Sequence, residues 1–149
     1  MKKNFGVKNW MFPMPVLMIG TYNEDGTPNM MNAAWGGITL EDQITICIDT
    51  SHRTWANITA RKAFTVAFGT ADTVASCDYL GLVSGKEAAD KVAKSGLTAV
   101  KSGFVDAPVG GASAGPGVRT GLDERGELQR GGAHPQLRGG GIRPDGRQA

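Results

Sequence analysis

Cysteine is scarce in this chain: Cys47 and Cys77 are the only two in 149 residues. Two cysteines are too few for a disulfide framework and show no metal-ligand spacing, so no metal is expected and a reducing cytoplasm is the expected setting. An excess of either charge is missing too, with 16 basic against 14 acidic side chains and a net charge of +2. That balance excludes nucleic-acid binding by bulk electrostatics. No apolar run approaches the roughly 18–20 residues of a membrane span. Pro13 and Pro15 interrupt what would be a short signal core, so no targeting segment is expected. Paired carboxylates, a Cys–His cluster, a nucleophile elbow and G-x-G-x-x-G are all absent, and no residue is assigned as catalytic. The length suits one domain.

The averages hide a split. Residues 1–109 hold all ten aromatics and all eight lysines, whereas residues 110–149 hold 12 of the 22 glycines and six of the eight arginines. A stretch so rich in glycine and empty of aromatics buries too little apolar surface to offset the entropy of ordering it. Residues 1–109 are therefore expected to pack as the domain, and 110–149 to be a Gly/Arg-rich tail, extended or poorly packed.

Within the packed part, Val16 to Tyr22 is a short apolar run suited to a buried strand. Asp25-Gly26 supplies the turn of a hairpin, and Pro28 fits the first position of the returning strand, which runs to Ala34. Trp35-Gly36-Gly37 breaks that strand, and the glycines allow close backbone approach. Gln43 to Asp49 alternates as a half-buried strand does. Ser51 to Lys62 reads as a helix, with Trp55, Ile58 and Thr59 on one face. Ala63 to Phe68 is a further strand, and Thr70 to Leu82 is helical with Thr70 or Asp72 as its cap. Lys86 to Lys94 is a short helix ended at Gly96, and Thr98 to Lys101 opens another strand. The pattern predicts a mainly β fold, an antiparallel barrel or sheet with accessory helices.

Two segments stand out chemically. Ser51-His52-Arg53-Thr54 opens a helix, where free N–H groups and a partial positive charge meet a guanidinium and hydroxyls. That arrangement suits a phosphate monoester. An ordinary surface helix capped by Ser51 or Thr54, with a solvated arginine, has the same sequence. In Asn32-Ala33-Ala34-Trp35, the small residues leave backbone groups accessible to a flat polar ring, and Asn32 offers donor and acceptor on one side chain. The plainer alternative is a strand crossing close to its neighbour, with Trp35 as a core aromatic. Cys77 reads as a small buried hydrophobe.

The order Pro13-Met14-Pro15-Val16, Gly20-Thr21-Tyr22, Asp25-Gly26-Thr27-Pro28-Asn29, Asn32-Ala33-Ala34-Trp35-Gly36-Gly37, His52-Arg53-Thr54, Asn57-Ile58, Phe64-Thr65-Val66 and Cys77-Asp78-Tyr79 resembles the flavin reductase-like FMN-binding proteins, above all their flavoredoxin branch. The resemblance runs from about Lys3 to Val109. It implies an FMN-binding split β-barrel, here incomplete at the C-terminus, and a homodimer with FMN near the subunit interface. By the same resemblance Asn32, Ala33, Ala34 and Trp35 would line the isoalloxazine, while Ser51, His52, Arg53, Thr54 and Asn57 would hold the phosphate. The implied activity is that of an FMN-dependent oxidoreductase passing electrons from NAD(P)H or another donor to a small-molecule or protein redox partner. A flavin also accounts for the missing acid–base residues, because the cofactor carries the redox chemistry. A non-catalytic flavin-binding protein and a non-functional truncated fragment are the alternative readings.

The resemblance stops at the tail. Reading the codons one base forward permits Glu-Glu-Leu-Pro over Gly110 to Ala114 and Leu-Ala-Leu-Glu-Cys over the stretch that ends at Arg119. An apolar alternating pattern thus emerges where the printed frame has none. Residues from about Gly110 onward are therefore expected to be a frameshift product; a natural low-complexity tail is the alternative. The first prediction concerns this segment. A version with the frame restored after Val109 should bind FMN more tightly than the printed chain and be dimeric, whereas the printed chain should bind weakly and aggregate. Fluorescence quenching and gel filtration compare the two. Equal affinity and equal size, or an unbroken frame in independent clones, would show that the tail belongs there.

Overall fold

The computed structural model describes residues 3–8, 12–40, 43–110, 118–121 and 136–141. Among the described residues, nine strands and three α-helices follow one another in the order β1 (Leu17–Tyr22), β2 (Pro28–Ala33), β3 (Gly36–Leu40), β4 (Gln43–Cys47), α1 (Arg53–Arg61), β5 (Ala63–Phe68), α2 (Val74–Leu82), α3 (Lys91–Lys94), β6 (Ala99–Lys101), β7 (Pro108–Gly110), β8 (Val118–Gly121) and β9 (Gln136–Gly141). Seven strands form one sheet in the order β2-β1-β5-β8-β9-β4-β3, and β6 pairs with β7 in a separate ribbon. Every pairing is antiparallel. The expected mainly β fold with accessory helices is what the chain adopts.

The first hairpin follows from its turn chemistry. The Thr27 amide donates to Asp25 Oδ1 at 2.9 Å and the Thr27 hydroxyl to the same oxygen at 2.6 Å. Gly26 takes a φ of +82°, which glycine adopts without a steric penalty. The resulting register sets Met18 opposite Asn32 and Leu17 opposite Ala33. Successive side chains of β1 and β2 therefore face opposite sides of the sheet.

Each side has its own core. Leu17, Ile19 and Ala33 join Ile44, Ile46, Ile48, Phe64, Val66 and Ile58 of α1 in one buried cluster. Strands β1 and β4 lie far apart in the sheet order yet share this cluster, so the sheet curls around it. The start of β3 seals the same side: a Cβ on Gly36 would lie 2.7 Å from the Thr45 carbonyl oxygen and 3.0 Å from Leu17 Cδ1. On the opposite side Met18 and Met30 pack with Cys77 and Leu80 of α2 and with Val92 and Leu97. Cys77 is the small buried hydrophobe expected of it.

The sheet's two edge strands, β2 and β3, are consecutive in the chain and joined only by Ala34-Trp35. The barrel is split at that link. Strands β8 and β9 lie mid-sheet, between β5 and β4. The tail expected to be extended or poorly packed thus supplies two paired strands. Its remaining residues, 111–117, 122–135 and 142–149, lie outside the described residues.

Helix boundaries differ from the sequence reading in instructive ways. The N-cap of α1 is His52, with no side-chain cap bond; the Ser51 amide instead donates to Asp49 Oδ1 at 2.8 Å. The buried face of α1 is Thr54, Asn57 and Ile58, with Trp55 half-buried. Thr59, expected on that face, is exposed. The stripe shifts because the polar Thr54 and Asn57 find hydrogen-bond partners underneath. Thr70 does form a capping box with Thr73. The helix expected over Lys86 to Lys94 shrinks to α3, and β3 and β7 were not anticipated.

Ribbon β6–β7 lies against the Met18 side of β1. The Thr65 hydroxyl donates to the Pro108 carbonyl, and a Cβ on Gly20 would run into that carbonyl while lying 2.6 Å from Thr65 Oγ1. Gly20→Ala should destabilise the fold by about 1–3 kcal/mol through overpacking. Urea denaturation measures this, and an unchanged midpoint would mean that β7 moves aside freely.

Candidate functional site

A polar knot lies beneath α1. Asn29 Nδ2 donates to Thr54 Oγ1 at 2.9 Å and to Thr21 Oγ1 at 3.2 Å. Asn57 Nδ2 donates to Thr21 Oγ1 at 3.1 Å and to Asn23 Oδ1 at 2.9 Å. Thr21, Asn29, Thr54 and Asn57 are all buried, and such groups are tolerated there only because they are bonded. Of the residues expected to hold a phosphate, Thr54 and Asn57 thus sit inside the protein and tie α1 to the first hairpin. Ser51, His52 and Arg53 remain exposed at the helix start. The Asp25 carboxyl is held below its ordinary pKa, chiefly by the Thr27 hydroxyl and then the Thr27 amide, with Arg53 adding a smaller attraction.

The second expected segment runs along the split. Asn32 is half-buried, Ala33 is buried, and Ala34 and Trp35 are exposed. Trp35 is 55% exposed, so it is not a core aromatic. Its carbonyl accepts the Cys47 amide at 2.7 Å. Asn32 lies on the Met18 and Met30 side, against α2: a Cβ on Gly81 would lie 3.2 Å from Asn32 Cβ and 3.5 Å from Asn32 Nδ2. The oxygen of that amide, Asn32 Oδ1, is buried and has no hydrogen-bond partner. A buried acceptor left open costs about 1–3 kcal/mol relative to a satisfied one, so it suits a ligand that carries an N–H.

The two segments meet along β2, though not on one face. Asn29 faces α1 and Asn32 faces α2, about 10 Å apart by strand rise. The exit of α2 runs beside both. Gly81 touches Asn32, and Gly85 is so close to Asn29 Oδ1 that a Cβ would run into it, with Arg53 Cβ 3.5 Å from the same point. The segment from Gly81 to Gly85 thus connects the neighbourhood of the exposed Arg53 to that of the open Asn32 oxygen.

The roles of Asn29, Gly81, Gly85 and Lys91 escaped sequence reasoning. Only Gly81 carried a signal, an isolated glycine in a helical stretch, which points to a packing reason. Lys91 is buried, with its Nζ donating to the Leu80 carbonyl at 3.1 Å and the Val83 carbonyl at 2.9 Å. It satisfies two carbonyls at the exit of α2 and pins α2 to α3. Burial lowers its pKa from 10.5 to about 8. Between these values the unfolded chain holds a proton that the folded chain has released, so stability should rise with pH across that window. Lys91→Met should abolish this rise. Urea denaturation at about pH 7 and about pH 10 compares the two proteins; an equal rise in both would remove Lys91 as its source.

A split, curled antiparallel sheet with an open acceptor on one edge strand and an exposed aromatic at the split defines a split-barrel protein. A family profile described as "Flavin reductase like domain" matches residues 9–115. The chain belongs to that family. It is 32% identical to the flavoredoxin of Desulfovibrio vulgaris (Miyazaki F), a match covering 100% of this chain and 83% of that one with a TM-score of 0.82. A flavoredoxin from Methanosarcina acetivorans has the same fold at 22% identity, over 95% and 74% of the two chains, with a TM-score of 0.75. So does an FMN-binding protein from Thermus thermophilus solved with 1-cyclohex-2-enone, at 17% identity, over 99% and 83%, with a TM-score of 0.73. A comparison with curated proteins finds no match.

Proposed function

We propose that the protein binds FMN along the split of its barrel and works as an oxidoreductase of the flavin reductase or flavoredoxin type. The observation that carries the reading is the buried, unbonded Asn32 Oδ1, three residues before the exposed Trp35. An isoalloxazine ring brings both a flat face and an imide N–H, and so fits that pair. Arg53, at the exposed start of α1, would receive the phosphate, since a guanidinium and a helix N-terminus both favour an anion. Thr54 and Asn57 would act one step back, by holding α1 in place through the buried knot. When bound, the flavin supplies electron transfer, and the chain's residues supply position and electrostatics. A nicotinamide is the donor we favour, because the small, exposed Ala34 leaves space beside the ring, whereas Ala33, expected to line it, is packed into the core. A homodimer in the cytoplasm, with its interface near the flavin, completes the proposal.

The visible spectrum of the purified protein, followed by an FMN titration, tests the reading. Bound flavin should appear, and Arg53→Ala should weaken binding by about 1.5–3 kcal/mol, the range for a lost charge-assisted hydrogen bond. Unchanged affinity would make Arg53 a surface residue. NAD(P)H oxidation by the flavin-loaded protein then separates an oxidoreductase from a protein that only holds flavin. No flavin binding at all would overturn the proposal.

A further inference from the structure

Two observations made separately concern one side chain. Asn32 Oδ1 is buried without a partner, and the same amide lies against the only glycine inside α2. A Cβ added at Gly81 would stand 3.2 Å from Asn32 Cβ, a distance at which a neighbour must give by a few tenths of an ångström. Neither neighbour yields easily. Asn32 is set by its β2 pairing with Met18. Helix α2 is fixed by the buried Cys77 and Leu80 and by the Lys91 bonds to the Leu80 and Val83 carbonyls. The tight contact is with Asn32 Cβ, the amide nitrogen lying at an ordinary 3.5 Å, so relief of the strain has to shift the Asn32 side chain at its Cβ and carries the amide with it.

We propose that Gly81 is a positioning residue: its missing side chain lets α2 back the Asn32 amide so that Oδ1, not Nδ2, is offered to the flavin's imide N–H. The inference rests on the FMN reading and adds what keeps the recognition of the imide N–H in register. Nδ2 is the end of the amide nearer the helix, which leaves the oxygen as the group offered to a ligand. An acceptor fixed there recognises a ring that bears an N–H and disfavours one in which that hydrogen is replaced by a methyl group.

The test compares FMN with 3-methyl-FMN, which lacks the imide hydrogen, by fluorescence titration of the full chain and its variants. The wild type should bind FMN at least about fivefold more tightly than 3-methyl-FMN, the effect of leaving one buried acceptor unpaired. Asn32→Ala should reduce this preference to within about twofold, and Gly81→Ala should reduce it likewise. In the Asn32→Ala background Gly81→Ala should have no further effect, because the two act through one amide. A Gly81→Ala protein that keeps the full preference, or an effect that persists without the Asn32 amide, overturns the proposal. If Gly81→Ala fails to fold, Asn32→Gly combined with Gly81→Ala relieves the contact. Recovered folding together with loss of preference in Asn32→Ala supports the proposal, and an undiminished preference in Asn32→Ala overturns it. FMN and 3-methyl-FMN bound equally by the wild type refutes this inference alone, whereas binding of neither refutes the FMN reading as well.

Discussion

Two asparagine amides buried beneath α1 have to find partners inside the protein, and the way they do so organises the rest. Asn29 reaches from β2 to Thr54, Asn57 reaches from α1 to Asn23, and both share the Thr21 hydroxyl. Any slip of α1 along the hairpin would break several of these bonds at once and leave polar groups buried and unpaired. Hydrophobic contact through Ile58 supplies attraction without direction; the knot supplies register. It places the start of α1, with Arg53, at one end of β2.

The same strand carries the open asparagine at its other end. Because β2 is an edge strand, its outer side is available to α2 and the segment leaving it. Small residues there decide how close the backbone comes. Gly81 and Gly85 each sit where a side chain would strike an asparagine of β2. Arg61 adds a further tie from the last turn of α1, to Asp106 at 2.8 Å and to the Asn23 carbonyl at 2.8 Å. Helix, hairpin and ribbon are thereby connected around the strand that borders the split.

The tail sets a second constraint. β5 and β4 are not neighbours in the sheet; β8 and β9 join them, through pairs such as Phe64 with Thr120 and Ile46 with Leu137. Three consecutive glycines end β9, a composition that strands disfavour. The curled sheet is thus bridged at its middle by segments whose glycine-rich composition does not mark them as strands.

Much of the first half was legible in the residues themselves. Apolar runs marked β1 and β5, Asp25-Gly26 marked the hairpin turn, and alternation marked β4, because strand period and turn chemistry are local properties. The Asn32 to Trp35 and Ser51 to Thr54 segments were legible as places of chemical interest for the same reason: their residue types are unusual where they stand. Which atoms are free was decided only by tertiary packing. Thr54 and Asn57 look like ligands in sequence but are bonded to residues 25 and 34 positions away. Asn32 keeps an unbonded oxygen while its side chain packs against Gly81 of α2, some fifty residues on. Hydrogen-bond partnership is a property of groups brought together by folding, and it leaves no mark on the local sequence.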